Sequence, residues 1–119
     1  MATAVKRKLS GSTNGKMIEV AATATAGTTI HTAVAGTTAG TFDEIWLYAI
    51  NHHTANVKLT IEFGGVASTD DLIVVYVPYD SGLFLVLPGF ILQNTLIVRA
   101  FAATTNVISI GGWVNAITD

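Results

Sequence analysis

Val57-Lys58-Leu59-Thr60-Ile61-Glu62-Phe63 alternates apolar and polar residues without a break, and Gly64-Gly65 ends the run. A strand turns successive side chains to opposite faces. This pattern therefore predicts a half-buried β-strand with Val57, Leu59, Ile61 and Phe63 inward and Lys58, Thr60 and Glu62 outward. Upstream, Glu44–Asn51 sets Ile45, Leu47 and Ala49 on one face and Trp46, Tyr48 and Ile50 on the other. With both faces apolar, it reads as a central strand or one covered on both sides. Residues 51–56 then read as a hairpin loop joining the two strands.

Downstream, Ser68-Thr69-Asp70-Asp71 is a polar turn, and Leu72–Val77 is apolar on both faces until Pro78 stops its ladder. Leu83–Leu87 lies between turns at Asp80-Ser81-Gly82 and Pro88-Gly89. Leu96–Ala102 and Val107–Asn115 close the chain, and Gly111-Gly112 inside the last strand marks a bulge or a close backbone approach. Toward the N-terminus, Asn14-Gly15 between residues 9–13 and 16–20 is a strong hairpin signal, because a type I′ turn needs positive φ at both central residues. Met17–Thr25 alternates weakly, Thr28–Val34 alternates again, and residues 35–40 form a Gly- and Thr-rich loop. No stretch keeps a helical apolar period with caps. About eight strands at roughly 10-residue spacing predict an all-β antiparallel sandwich or jelly roll.

A chain of 119 residues with 50% hydrophobic and 12% charged composition has the apolar content for one packed domain and excludes disorder over most of its length. No apolar run approaches the ~18 residues of a membrane helix. The basic start leads into Leu9-Ser10-Gly11-Ser12, not an apolar core, so no secretory signal is expected. There is no cysteine, so the fold needs no oxidising compartment.

Charge is unevenly placed. Residues 1–16 carry Lys6, Arg7, Lys8 and Lys16 with no acid, while residues 17–119 carry all eight acids against Lys58 and Arg99. This divides the chain into an extended basic N-terminal arm or edge hairpin over 1–16 and a β-sandwich domain over 17–119. Four charges without interleaved aromatics are a thin phosphate footprint, so neither nucleic acid nor membrane is the expected partner; an acidic neighbour is. A small sandwich covers one face of each sheet, yet several strands here are apolar on both. The surplus predicts self-association or attachment to a larger surface.

The residues nominate no chemistry. Ser10, Ser12, Ser68, Ser81 and Ser109 sit in turns or ordinary strand positions, and no nucleophile elbow is spelled. His52 and His53 point to opposite faces and read as loop histidines, with His31 on another strand. Asp70-Asp71 reads as a solvated turn, and Asp43-Glu44 as partners for a basic arm from a neighbour. Trp46, Tyr48 and Trp113 belong to core or subunit interface, and Arg99 to a semi-buried salt bridge with an acid. No catalytic residue, cofactor site or metal site is expected. The candidate interface residues are Lys6, Arg7, Lys8, Lys16, Asp43, Glu44, Trp46, Tyr48, Arg99 and Trp113.

Ile30-His31-Thr32-Ala33-Val34-Ala35-Gly36 and Asp43-Glu44-Ile45-Trp46-Leu47-Tyr48-Ala49-Ile50-Asn51 resemble small virion structural proteins of tailed bacteriophages. The resemblance continues through Leu59–Gly65, Ser81-Gly82-Leu83, Leu87-Pro88-Gly89 and Val98–Ala102 and ends near Gly112–Asn115, covering about residues 30–115 and omitting the arm. It implies a non-enzymatic particle component made in the host cytoplasm. At this size it implies a capsid decoration or cement protein on the outer shell, a homo-oligomer of trimer type contacting the major capsid protein. A tail, neck or fibre subunit is the alternative within the same class. A carbohydrate-binding module using Trp46 and Trp113 is the alternative outside it.

Overall fold

The computed structural model describes residues 2–119. Nine strands form among them, with no helix: β1 (Thr3–Lys8), β2 (Ile18–Glu19), β3 (Thr28–Thr32), β4 (Phe42–Asn51), β5 (Val57–Phe63), β6 (Leu72–Val77), β7 (Phe84–Leu92), β8 (Ile97–Ala102) and β9 (Ile108–Thr118). They make two antiparallel sheets packed face to face. One has the order β1-β9-β4-β7, with β2 pairing β9 beside β1; the other has the order β3-β8-β5-β6. With β1 and β2 taken as one interrupted edge, the chain crosses between sheets in the jelly-roll order.

The core lies between the sheets, where the period-two pattern puts it. Ile45, Leu47 and Ala49 of β4 meet Leu59 and Ile61 of β5, with Val98 and Ala100 of β8 and Ile108, Ile110 and Val114 of β9, all buried. β4 is central, flanked by β7 and β9. It therefore keeps a second apolar row, Trp46, Tyr48 and Ile50, on the outer face of its sheet at intermediate exposure.

Several local expectations are corrected. Residues 51–56 are not a hairpin loop, because β4 and β5 lie in different sheets. The Asn51 side chain builds the crossing, donating to the carbonyls of Ala55 and Val77 while its Oδ1 accepts from the His53 N–H. Asn14 and Gly15 do take positive φ, but the segments beside them do not pair with each other; β1 and β2 both pair with β9. Only Ile18–Glu19 of the weakly alternating stretch is strand. Pro88-Gly89 is no turn: β7 runs through it, with Gly89 as the extra residue of a bulge between the pairs Ile45↔Phe90 and Trp46↔Pro88. A proline is tolerated there because β7 is an edge strand. Gly111-Gly112 is a close approach and not a bulge, since the β4–β9 register runs unbroken past it.

Residues 3–8 lie as an edge strand of the sandwich, every side chain exposed, while the adjoining Leu9 is buried in the core. Glu62 points outward on β5, yet it is fully buried. The segment before β3 covers it, with the Thr25 hydroxyl and the Gly27 N–H both donating to its carboxylate.

Candidate functional site

Five of the ten nominated residues converge on the outer face of the β1-β9-β4-β7 sheet. Trp46 and Trp113 are register partners on β4 and β9, with ring centroids 5.8 Å apart and planes 13° from parallel. Tyr48, two residues along β4, stacks on Trp113 from the diagonal at 5.9 Å. The Lys6 ammonium lies 4.5 Å from the Trp113 ring centroid, a cation–π contact reaching across from β1. The row thus runs over three adjacent strands. On the fourth, Gly89 makes room for it: a Cβ there would stand 2.9 Å from the Trp46 ring.

Glu44 joins the row from β4. One of its oxygens accepts from both Trp46 Nε1–H and the Asn115 amide, each at 2.9 Å. The Trp46 hydrogen bond, followed by that of Asn115, holds its carboxyl below the usual glutamate range, because both donors favour the charged form. Asn115 is the participant sequence reading missed. The signal for it is positional, since it faces Glu44 directly in the β4–β9 register. Beside the row, a shallow groove of about 460 Å³ is floored by Gly111 and Gly112 and walled by Met17, Tyr48, Leu83 and Trp113.

Asp43 is corrected from a surface acid to a buried one. It is 6% exposed and faces inward, where its Oδ2 lies 2.7 Å from His31 Nε2 and also accepts the Val34 N–H at 3.2 Å. His31 Nδ1 accepts from the Ser10 backbone N–H at 3.0 Å, which assigns the imidazole proton to Nε2 and makes His31 the donor to Asp43. Ser10, His31 and Asp43 thus meet beside a cleft of about 450 Å³ that Arg7 also lines. Both ring nitrogens are already engaged, and the Ser10 hydroxyl accepts from the Thr32 N–H. The trio ties β3 to β4 and offers a serine no base.

The remaining nominated residues are scattered. Arg99 is half-buried on β8 in the other sheet, and no acid lies within ion-pair distance of it among the described residues; the one pair found there is His31–Asp43. Lys16 is exposed beyond the Asn14-Gly15 turn, its carbonyl accepting from the Ser12 hydroxyl. Arg7 and Lys8 are exposed on β1, with the Lys8 ammonium donating to the Ser12 carbonyl. No group of three or more His, Asp or Glu side chains is gathered as metal ligands among the described residues.

Large apolar side chains stand exposed on both sheets. Val74 and Tyr76 on β6 are 51% and 62% exposed, and Leu83, Leu85, Phe90 and Ile91 on and beside β7 are 44–63% exposed. Compared with models of protein families, with curated proteins and with solved structures, the chain matches none of them.

Proposed function

We propose that this chain is a non-enzymatic structural subunit of a bacteriophage particle, a decoration or cement protein that binds the outer capsid shell and stabilises contacts between shell subunits. One observation carries the assembling role: eleven large apolar side chains are exposed among the described residues of a 119-residue sandwich. Four of them, Leu83, Leu85, Phe90 and Ile91, lie together on and beside β7, and contiguous apolar surface of that kind is characteristic of contact sites. The virion assignment rests on the resemblance of residues 30–115 to small phage structural proteins. In this reading the partners are further copies of the chain, in a trimer, and the major capsid protein. The chain is made in the host cytoplasm and ends on the capsid surface.

Quantitative mass spectrometry of purified particles tests the assignment. Hundreds of copies per particle support the shell role. Tens or fewer would move the chain to tail, neck or fibre, and absence from particles would overturn the virion reading.

A second reading has its own support in the aromatic row. Trp46, Trp113 and Tyr48, with Glu44 and Asn115 beside them, combine ring surface with directed polar groups, the ingredients of a carbohydrate-binding face. Glycan-array binding abolished by Trp46→Ala or Trp113→Ala in a folded variant would favour it over the shell role.

A further inference from the structure

The four edges of the two sheets are guarded unequally. β1 carries Lys6, Arg7 and Lys8, all exposed. β7 contains Pro88 and is interrupted by register shifts at two points. β3 has five residues and a register shift between Thr29 and His31. Proline, bulges and shortness keep a strand edge from pairing with any chain, whereas charge bars only partners that do not carry the opposite sign. β6 has none of them. Its sequence, Leu72-Ile73-Val74-Val75-Tyr76-Val77, contains no charge, proline or glycine, and its register with β5 is continuous from Val57↔Val77 to Glu62↔Leu72. It ends its sheet, and among the described residues no loop hydrogen-bonds along residues 72–76.

We propose that the free edge of β6 receives β1 of a second copy, added antiparallel. This rests on the reading of the chain as an assembling subunit and names one of its contacts. Length and charge select the occupant. Both strands have six residues, and both lie at free edges. Asp70 and Asp71 precede β6, and Asp80 follows it. A second β6 laid antiparallel would bring Asp70 and Asp71 beside the other copy's Asp80, stacking like charges at both ends. β1 laid antiparallel does the opposite: Lys6, Arg7 and Lys8 approach the Asp70-Asp71 end, and uncharged Thr3, Ala4 and Val5 cover the rest.

Full overlap sets Thr3 opposite Val77, Lys6 opposite Val74 and Lys8 opposite Leu72. This register keeps the outer faces of the two sheets on one side. Lys6 shares the outer face with Trp113, and Val74 lies outward opposite Thr60. The contact is heterologous, so repetition gives a closed ring or an open filament; a trimer is one such ring.

The absence of cysteine from the sequence gives a clean test. Opposed residues of an antiparallel pair stand roughly 4.5–5.5 Å apart at Cα, within disulfide range. Lys6→Cys and Val74→Cys, both at exposed positions, are prepared separately, mixed at high micromolar concentration and oxidised. A disulfide-linked dimer formed in the mixture, and not by either variant alone, is expected. Dimerisation of Val74→Cys alone would replace the contact with a β6–β6 pair and overturn it, as would a mixture that stays uncrosslinked. Sedimentation gives a second readout on the cysteine-free chain. Lys8→Glu should weaken association roughly tenfold, and Asp70→Lys in the same chain should restore it; no restoration would overturn the charge pairing. Particle copy number is independent of this contact. Hundreds of copies on particles with no cross-link would remove the strand contact and leave the shell role standing, whereas a cross-link from a chain absent from particles would do the reverse.

Discussion

His31 donates through Nε2 to Asp43 across the interior of the sandwich, at 2.7 Å, linking an edge strand of one sheet to a central strand of the other. Both side chains are nearly excluded from solvent. Removing the imidazole leaves a buried carboxylate with the Val34 N–H as its remaining hydrogen bond. His31→Ala should therefore cost about 2–4 kcal/mol of stability, as for other broken buried pairs. Urea denaturation with a double-mutant cycle to Asp43→Asn measures it; additive losses would show that the two residues act separately.

Gly112 should be the least replaceable glycine tested. A Cβ there would collide with the Trp46 carbonyl oxygen on the neighbouring strand, and φ is +149°. Gly112→Ala must part the two central strands or distort both, at a cost of about 3 kcal/mol or more. Gly15→Ala is the control: φ is +84°, but nothing lies within 4 Å of the added carbon, so the loss should stay near 1 kcal/mol. Thermal melts of the two variants should differ clearly.

Glu44 gives a pH signature. Its carboxyl titrates below the usual range because Trp46 and Asn115 donate to the charged form. A carboxyl lowered on folding contributes stability above its unfolded pKa and loses it as pH falls through the folded value. The melting temperature of the native chain should exceed that of Glu44→Gln at neutral pH, and the gap should close progressively in acid below about pH 4.5. A gap constant from neutral pH to pH 3 would contradict this account.

The Trp46–Trp113 stack should be a coupled pair. In a double-mutant cycle to leucine, the two losses should fall short of additivity by about 0.5–1.5 kcal/mol. Lys6→Met should leave most of that coupling intact, because Lys6 touches Trp113 from β1 and the Trp46–Trp113 pair does not depend on it.

The strand faces were legible wherever one side of a strand enters the core. Val57, Leu59 and Ile61 alternate into the interior as their pattern predicts, and Ile45, Leu47 and Ala49 do the same. What pattern could not assign is which strands share a sheet. The polar residues 51–56 read equally well as a hairpin loop or as a crossing, and the choice depends on Asn51 binding Val77, twenty-six positions away. Pro88-Gly89 misleads for a related reason: the pair suits a turn and an edge bulge alike, and only the edge position of β7 decides. At the candidate site, the aromatics announce themselves, and so does the apolar second face of β4. Asn115 does not, because its role depends on facing Glu44 across a register no local sequence encodes. Asp43 and Glu44 look equivalent in sequence, yet period-two geometry sends one into the core and leaves the other on the outer face.

β1 combines ladder pairing with six side chains that all stay out of the core, and this bears on how the native chain meets a protease. Its six residues hold to β9 chiefly through the backbone ladder, with the Thr3 hydroxyl and the Lys6 ammonium as the side-chain contacts to that strand, while Leu9, the next residue, is anchored in the interior. Local opening of such a segment requires far less free energy than global unfolding. Three of the six trypsin-sensitive residues, Lys6, Arg7 and Lys8, sit on this strand, whereas Lys58 and Arg99 are held in interior strands of the other sheet. The folded protein should therefore be trimmed from its N-terminal end while the sandwich stays resistant. The segment richest in positive charge is thus also the one expected to open before the rest of the fold.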